Sequence, residues 1–211
     1  MGMTQAGLAL LVAYLVGAVP FAQLAARLTR GADLRLVGTG TVSGTGLYRV
    51  AGFWPLAIAG VLDVGKGAAG PLLAARSPTL AALAGGAAVA GHNWSPFLRW
   101  AGGRGISPAM GALAVTAWPG AVLLLAGLAI GRLARQTGAV CFVADLALVP
   151  LATMTRGSAG ALAAAAVLIP MLVKRLAGNR APAERTAATY LRRLVFDRDE
   201  PPGQLTPRRP R

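Results

Sequence analysis

ISPAMGALAVTAWPGAVLLLAGLAIG, residues Ile106 to Gly131, contains no ionisable side chain. About 20 apolar residues span a bilayer, so this block crosses once or twice, and that choice sets the fold. One crossing would put Arg132 and Arg135 on the opposite side from Arg99 and Arg104. A break at Trp118, Pro119 and Gly120, where proline removes a backbone donor, gives two short crossings and returns all four arginines to one face. Further spans are read at Ala6–Ala26, Gly52–Ala75, Thr79–His92, Gly138–Met154 and Ser158–Val173. The predicted fold is all-α, a polytopic membrane protein of seven spans with five as the fallback. The Lys/Arg distribution places the N-terminus outside and the C-terminus in the cytosol, leaving only Arg76 and Arg156 outside.

Composition agrees. Of the 211 residues 55% are hydrophobic and 13% charged, with a mean hydropathy of +0.58, whereas a soluble domain carries roughly 25% charged residues. The net charge of +14 invites a nucleic-acid reading, but a soluble nucleic-acid binder would not carry such apolar runs. The basic excess is read as topology and lipid contact, with no nucleic-acid partner. Cys141 is the single cysteine, so no intrachain disulfide forms. No Lys or Arg precedes Arg27, so the first helix is expected to be retained rather than cleaved as a signal peptide. Residues 1–178 form the predicted transmembrane domain. Residues 179–211, rich in Pro and Arg, are expected to be a disordered cytosolic tail near anionic lipid.

Two glycine-rich cationic loops interrupt the apolar pattern: GTGTVSGTGLYR, Gly38 to Arg49, and GHNWSPFLRWAGGRG, Gly91 to Gly105. Glycines let successive backbone N–H groups converge on an anion, and arginine supplies forked donors that match phosphate. In the first loop Gly38, Thr39, Gly40, Thr41 and Thr45 offer amides and hydroxyls, and Arg49 follows one turn into a helix that begins near Thr45. The competing reading is a flexible polar connector. In the second, Gly102, Gly103, Arg104 and Gly105 open a helix at Ile106, whose N-terminus and dipole favour an anion. His92 and Asn93 precede this loop; His92 is the sole histidine, with a structural role as the alternative to an acid–base one. Asp63 and Lys66 share one face of the second span and read as an internal strut. Asp145 has no partner in its own helix, so it is either protonated or paired with an arginine from elsewhere. There is no cofactor fingerprint and no metal-ligating cluster, and neither is expected.

These segments in this order resemble the bacterial acyl-phosphate:glycerol-3-phosphate acyltransferases. The resemblance runs from Tyr14 to Gly178 and rests on YLVGAVPFAQLAARL, the two loops, DVGKG at Asp63–Gly67 and VKRLAG at Val173–Gly178. It implies an enzyme of the bacterial inner membrane with its site on the cytosolic face. A fatty acyl group would pass from acyl phosphate to the sn-1 hydroxyl of glycerol 3-phosphate, giving lysophosphatidate and phosphate. By the resemblance Thr39 falls at a substrate-binding serine, Arg49 at a phosphate-binding arginine and Arg104 at a lysine, while His92 and Asn93 match directly. Arg104, His92 and Asn93 are the implied catalytic group; Cys141 stands near a serine of the third motif. Thr41 and Gly46 replace asparagines, Pro108 a threonine, and Ile169 and Leu172 the usual His and Asn. Those departures motivate an alternative, a paralogue that binds acyl phosphate or lipid phosphate without this reaction or with another acceptor. A transporter is a third reading, from Asp63, Lys66 and Asp145 at membrane depth.

Overall fold

A computed structural model describes residues 3–182 and 184–198. The described residues are helical with no strand. In order they form α1 (Met3–Gly17), α2 (Phe21–Arg30), α3 (Gly44–Ala51), α4 (Phe53–Leu73), α5 (Pro78–Asn93), α6 (Ile106–Thr116), α7 (Trp118–Leu133), α8 (Thr137–Ala177) and α9 (Ala187–Phe196). Leu34–Leu36 and Pro96–Leu98 are single 3-10 turns.

Local chemistry sets the ends. The first apolar block, read as one span, is split: Pro20 ends α1 and starts α2, because its ring removes a donor and disfavours helix at the preceding residue. Val19's carbonyl is taken up by Lys66 Nζ of α4 at 2.5 Å. Gly31, at φ 63°, caps α2 by donating to Ala26 and Arg27 carbonyls. Ser43, Ser77 and Thr186 each accept a hydrogen bond from a backbone N–H in the first turn of α3, α5 and α9. The chain leaves helical geometry at Ala117, φ −154°, separating α6 from α7 one residue ahead of the predicted Trp118–Gly120 break. Within α8, Gly157 adopts φ 61°, ψ −149°, a region open essentially to glycine alone. The chain reverses there, so Arg175 of the second arm reaches Gly138 of the first.

Packing is that of a membrane bundle. Alanines such as Ala59, Ala84, Ala88, Ala112, Ala163 and Ala164 are buried, whereas Leu11, Ile58, Val61, Leu125, Ile130 and Ile169 face outward. In lipid the large apolar side chains gain nothing by turning inward, and small residues let helix backbones meet. Gly17 of α1 rests on Ala88 of α5, Gly67 of α4 on Pro108 of α6, Gly111 of α6 on Val64 of α4, and Gly86 of α5 on Ala166 of α8; a Cβ at any of them would run into partner backbone. Met3–Arg30, Phe53–Leu73 and Thr137–Ala177 are long and apolar enough to cross a membrane, while α6 and α7 are shorter apolar helices. Two ion pairs are buried in the bundle: Lys66 Nζ–Asp63 Oδ1 at 2.7 Å within α4, and Arg175 Nη2–Asp145 Oδ2 at 3.2 Å between the two arms of α8. Asp145 therefore has its arginine, from the opposite arm of α8.

The tail departs from expectation. Residues 187–196 are helical, and α9 packs on α8 through the backbone of Phe196 against Gly138. Residues 183 and 199–211 of the predicted tail lie outside the described residues.

Candidate active site

Both glycine-rich loops lie at one end of the bundle and are joined to each other. Val42 N–H donates to Gly102 carbonyl at 3.1 Å. The Asn179 side chain closes the junction, its Nδ2 donating to Gly40 and Gly102 carbonyls at 2.9 and 2.8 Å and its Oδ1 accepting from Gly102 N–H at 3.2 Å. Arg180 Nη2 donates to Arg35 carbonyl at 2.7 Å, across the first loop.

The first loop turns through Gly38 and Gly40, at φ 54° and 73°. Thr39 is exposed and its hydroxyl donates to the buried Thr41 Oγ1 at 3.1 Å. Thr45 and Arg49 lie four residues apart on α3, both exposed, while Leu47 between them is buried. Arg49 has no hydrogen-bond or ion-pair partner among the described residues. At the base of this loop Arg35 donates to both Asp33 oxygens, from Nη2 at 2.6 Å and from Nε at 3.0 and 3.2 Å. Those bonds hold the Asp33 carboxyl down to about 2 against the opposing effect of its partial burial.

The second loop is stapled to α1 from below. Tyr14 hydroxyl donates to Trp94 carbonyl at 2.5 Å and Ser95 hydroxyl to Ala18 carbonyl at 2.7 Å. Gly103 N–H donates to His92 carbonyl at 3.2 Å, and Gly103 sits so close to His92 Nε2 that no side chain fits. His92 Nδ1 lies 3.9 Å from Asp63 Oδ1, beside the Asp63–Lys66 pair. Asp63, Lys66, His92, Gly102 and Gly103 line a cavity of about 10 Å³, room for about one water. Asn93 Nδ2 donates to Pro170 carbonyl at 2.8 Å, binding α5 to α8, while its buried Oδ1 has no partner among the described residues. Gly105, at φ 84°, starts α6 with no side-chain cap, so first-turn N–H groups are open to an anion.

Arg104 is held on two sides: Nη1 donates to Lys174 carbonyl at 2.7 Å, and Nε pairs with Asp197 Oδ1 at 2.6 Å. Burial pulls its guanidinium below the ordinary arginine value, and Asp197 opposes that. Of the residues read from sequence, Gly38, Thr39, Gly40, Thr41, Gly102, Gly103, Arg104 and Gly105, with His92 and Asn93, gather at this end. Cys141 is a buried free thiol in α8, packed near Gly127 of α7 and one turn from Gly138, on which Arg175 and the end of α9 rest. Asn179, Arg193 and Asp197 stand in the segment that composition assigns to a disordered tail, so a reading of the sequence passes over them. Gly178 followed by Asn179, immediately after the last apolar run, is the signal that was available.

A family profile described as glycerol-3-phosphate acyltransferase matches residues 7–181. Proteins named glycerol-3-phosphate acyltransferase from Parasynechococcus marenigrum (strain WH8102) and glycerol-3-phosphate acyltransferase 1 from Deinococcus radiodurans are 41% and 43% identical over 115 and 111 residues. Those alignments take in 53% and 51% of this chain and 54% and 56% of the relatives. The chain thus spans about half the length of the curated relatives it matches. The crystal structure of PlsY (YgiH), an integral membrane glycerol 3-phosphate acyltransferase in its glycerol 3-phosphate form, superposes with a TM-score of 0.71 at 26% identity, over 81% of this chain and 88% of that one. Its lysophosphatidic acid form gives 0.69 at 24% identity over the same shares, a likeness of fold.

Proposed function

The chain belongs to the glycerol-3-phosphate acyltransferase family, and from that premise we propose that it transfers a fatty acyl group from acyl phosphate to the sn-1 hydroxyl of glycerol 3-phosphate. The products are lysophosphatidate and inorganic phosphate. One observation carries the reading: the two glycine-rich loops are locked together through Asn179, so that the Thr39 turn of the first, with α3 following it, is joined to the loop that holds Arg104 and leads to the uncapped N-terminus of α6. The PlsY structure at 26% identity is a glycerol 3-phosphate form, which supports a substrate of this class.

An acyl phosphate is already activated, so the protein's task is to hold two anions together and to stabilise charge on the reacting carbonyl. The hydroxyl oxygen attacks the acyl carbon, the bond from that carbon to the bridging phosphate oxygen breaks, and the hydroxyl proton passes to the departing phosphate. Arg49 and Arg104 offset phosphate charge, Thr39 and Thr45 supply hydroxyls, and the amides of Arg104 to Ile106 face the anion, those of Gly102 and Gly103 being taken up by Asn179 and the His92 carbonyl. His92, with Asp63 and Lys66, supports the second loop from beneath. The ionisable residues that suggest transport neutralise one another in pairs. Seven crossings, an outside N-terminus and a cytosolic site in a bacterial inner membrane complete the proposal, in keeping with the arginines gathered at the site end.

The test is release of phosphate from palmitoyl phosphate by purified protein, with and without glycerol 3-phosphate, and mass spectrometry of the lipid. Acceptor-dependent release with lysophosphatidate is expected. Arg49→Ala protein should insert normally and lose activity on the order of 100-fold. Unchanged turnover in that variant removes Arg49 from the site, and absence of product from wild type in the presence of both substrates refutes the activity.

A further inference from the structure

The family match ends at residue 181, so α9 and the residue that caps it lie beyond the matched region. Asp197 nevertheless reaches back to Arg104 at 2.6 Å. Its position carries two local costs. Asp197 closes α9 in the left-handed region, at φ 55°, ψ 38°, which non-glycine residues enter uncommonly. It also sets a carboxylate at the C-terminal, negative end of a helix dipole. Pairing with the Arg104 guanidinium offsets both.

The mount beneath it is rigid. Arg193 is 3% exposed and donates from Nη1 to Leu176 and Ala177 carbonyls at 3.1 and 3.0 Å and from Nη2 to Arg180 carbonyl at 2.9 Å. Arg175, itself paired with Asp145, donates to Gly138 and Leu194 carbonyls at 3.2 and 3.0 Å. Buried arginines thereby fix α9 to α8, Arg193 through its own side chain and Arg175 through the Leu194 carbonyl. With Nε on Asp197 and Nη1 on the Lys174 carbonyl, Arg104 keeps Nη2 without a protein partner among the described residues.

We propose that Asp197 is a positioning residue for Arg104: together with the Lys174 carbonyl it fixes the guanidinium so that Nη2 is presented to a substrate phosphate. The inference rests on the reading of Arg104 as phosphate-binding given above. Asp197 touches no substrate; it acts through Arg104, and Arg193 acts through α9.

The experiment uses full-length protein in detergent: wild type, Asp197→Ala, Asp197→Glu, Arg193→Ala and the double Asp197→Ala/Arg193→Ala variant. Kinetics are measured with palmitoyl phosphate and glycerol 3-phosphate, and in parallel the rate of phenylglyoxal modification at Arg104 is read by peptide mass spectrometry. Asp197→Ala should lower kcat/KM about tenfold or more, the scale of a misplaced catalytic group, and speed labelling of Arg104 several-fold. Asp197→Glu should recover most of both. The double variant should lose little beyond the worse single one, because both changes release the same guanidinium. Wild-type kinetics per folded Asp197→Ala enzyme, or equal labelling in the two proteins, overturns the proposal. If wild type forms no product, the acyltransferase reading falls; the inference is then decided by protection of Arg104 from labelling by palmitoyl phosphate, present in wild type and lost in Asp197→Ala protein if it holds, unchanged between them if it fails.

Discussion

Asn179 makes three hydrogen bonds through one amide side chain, joining Gly40 of one loop to the Gly102 peptide of the other. Asn179→Ala leaves the Gly40 carbonyl and the Gly102 N–H unpaired, at about 1–3 kcal/mol for each that finds no water, while the Gly102 carbonyl keeps Val42 N–H. The expected outcome is a KM for glycerol 3-phosphate raised by about tenfold, equivalent to 1.4 kcal/mol, with membrane insertion intact; steady-state kinetics on purified variant protein measure it. Asp33 gives a pH signature at the same scale. Arg35 holds its carboxyl down to about 2 in the folded chain, below the ordinary value of about 3.9, so the fold favours the ionised form. The resulting stability is full above the unfolded value and is lost as pH falls through the folded one. The difference in Tm between wild type and Asp33→Asn protein should therefore hold steady near neutral pH and close between about pH 4 and pH 2. A gap unchanged at the acid end would show that the pair does not form. Sequence singles out Arg49, Arg104 and His92 as candidates because their types and spacing carry chemistry locally. It passes over Asn179 because an asparagine after a helix has no mark of the distant carbonyls it will meet.

Helix ends follow from local rules, and most are legible: Ser77 with Pro78 opens α5, and Gly105 opens α6. The reversal at Gly157 is the element most dependent on one residue. Gly157→Ala forces a side chain into φ 61°, ψ −149°, which costs about 1–3 kcal/mol. Gly60→Ala, on α4 with nothing near the added Cβ, should instead be neutral or stabilising by up to about 1 kcal/mol, the helix-propensity difference. Reversible unfolding of both variants in mixed micelles checks the contrast; equal behaviour would mean that the two arms of α8 are joined differently. The Pro20 break and α9 were not legible. Pro20 lies in an uninterrupted apolar stretch whose composition alone says helix, and the freed Val19 carbonyl is taken up by Phe21 N–H and by the Lys66 ammonium from α4. In the tail Arg193, whose charge signals solvent by composition, is buried because helix-end carbonyls of α8 accept its hydrogen bonds.

For the whole molecule the open quantity is how often the chain crosses the membrane, and the single Cys141 makes it measurable. In a Cys141→Ser background, single Arg76→Cys, Trp118→Cys and Arg156→Cys variants should react with an impermeant maleimide added outside intact cells, whereas Arg99→Cys and Arg185→Cys should react only after permeabilisation. Protection of Trp118→Cys from outside label would mean that α6 and α7 do not reach the far surface, and the seven-span topology would fall. By itself the sequence determined that this is an all-helical membrane protein, which segments are apolar, and which two loops carry the cationic glycine-rich chemistry, because hydropathy, turn residues and charge act over short stretches of chain. Only the tertiary structure decided that Asp145 pairs with Arg175, that Asn179 clasps the two loops, and that Asp197 comes back to Arg104. Each of those contacts joins residues far apart along the chain, and the energy that fixes them comes from burying charge and backbone polar groups together, a quantity no local pattern encodes.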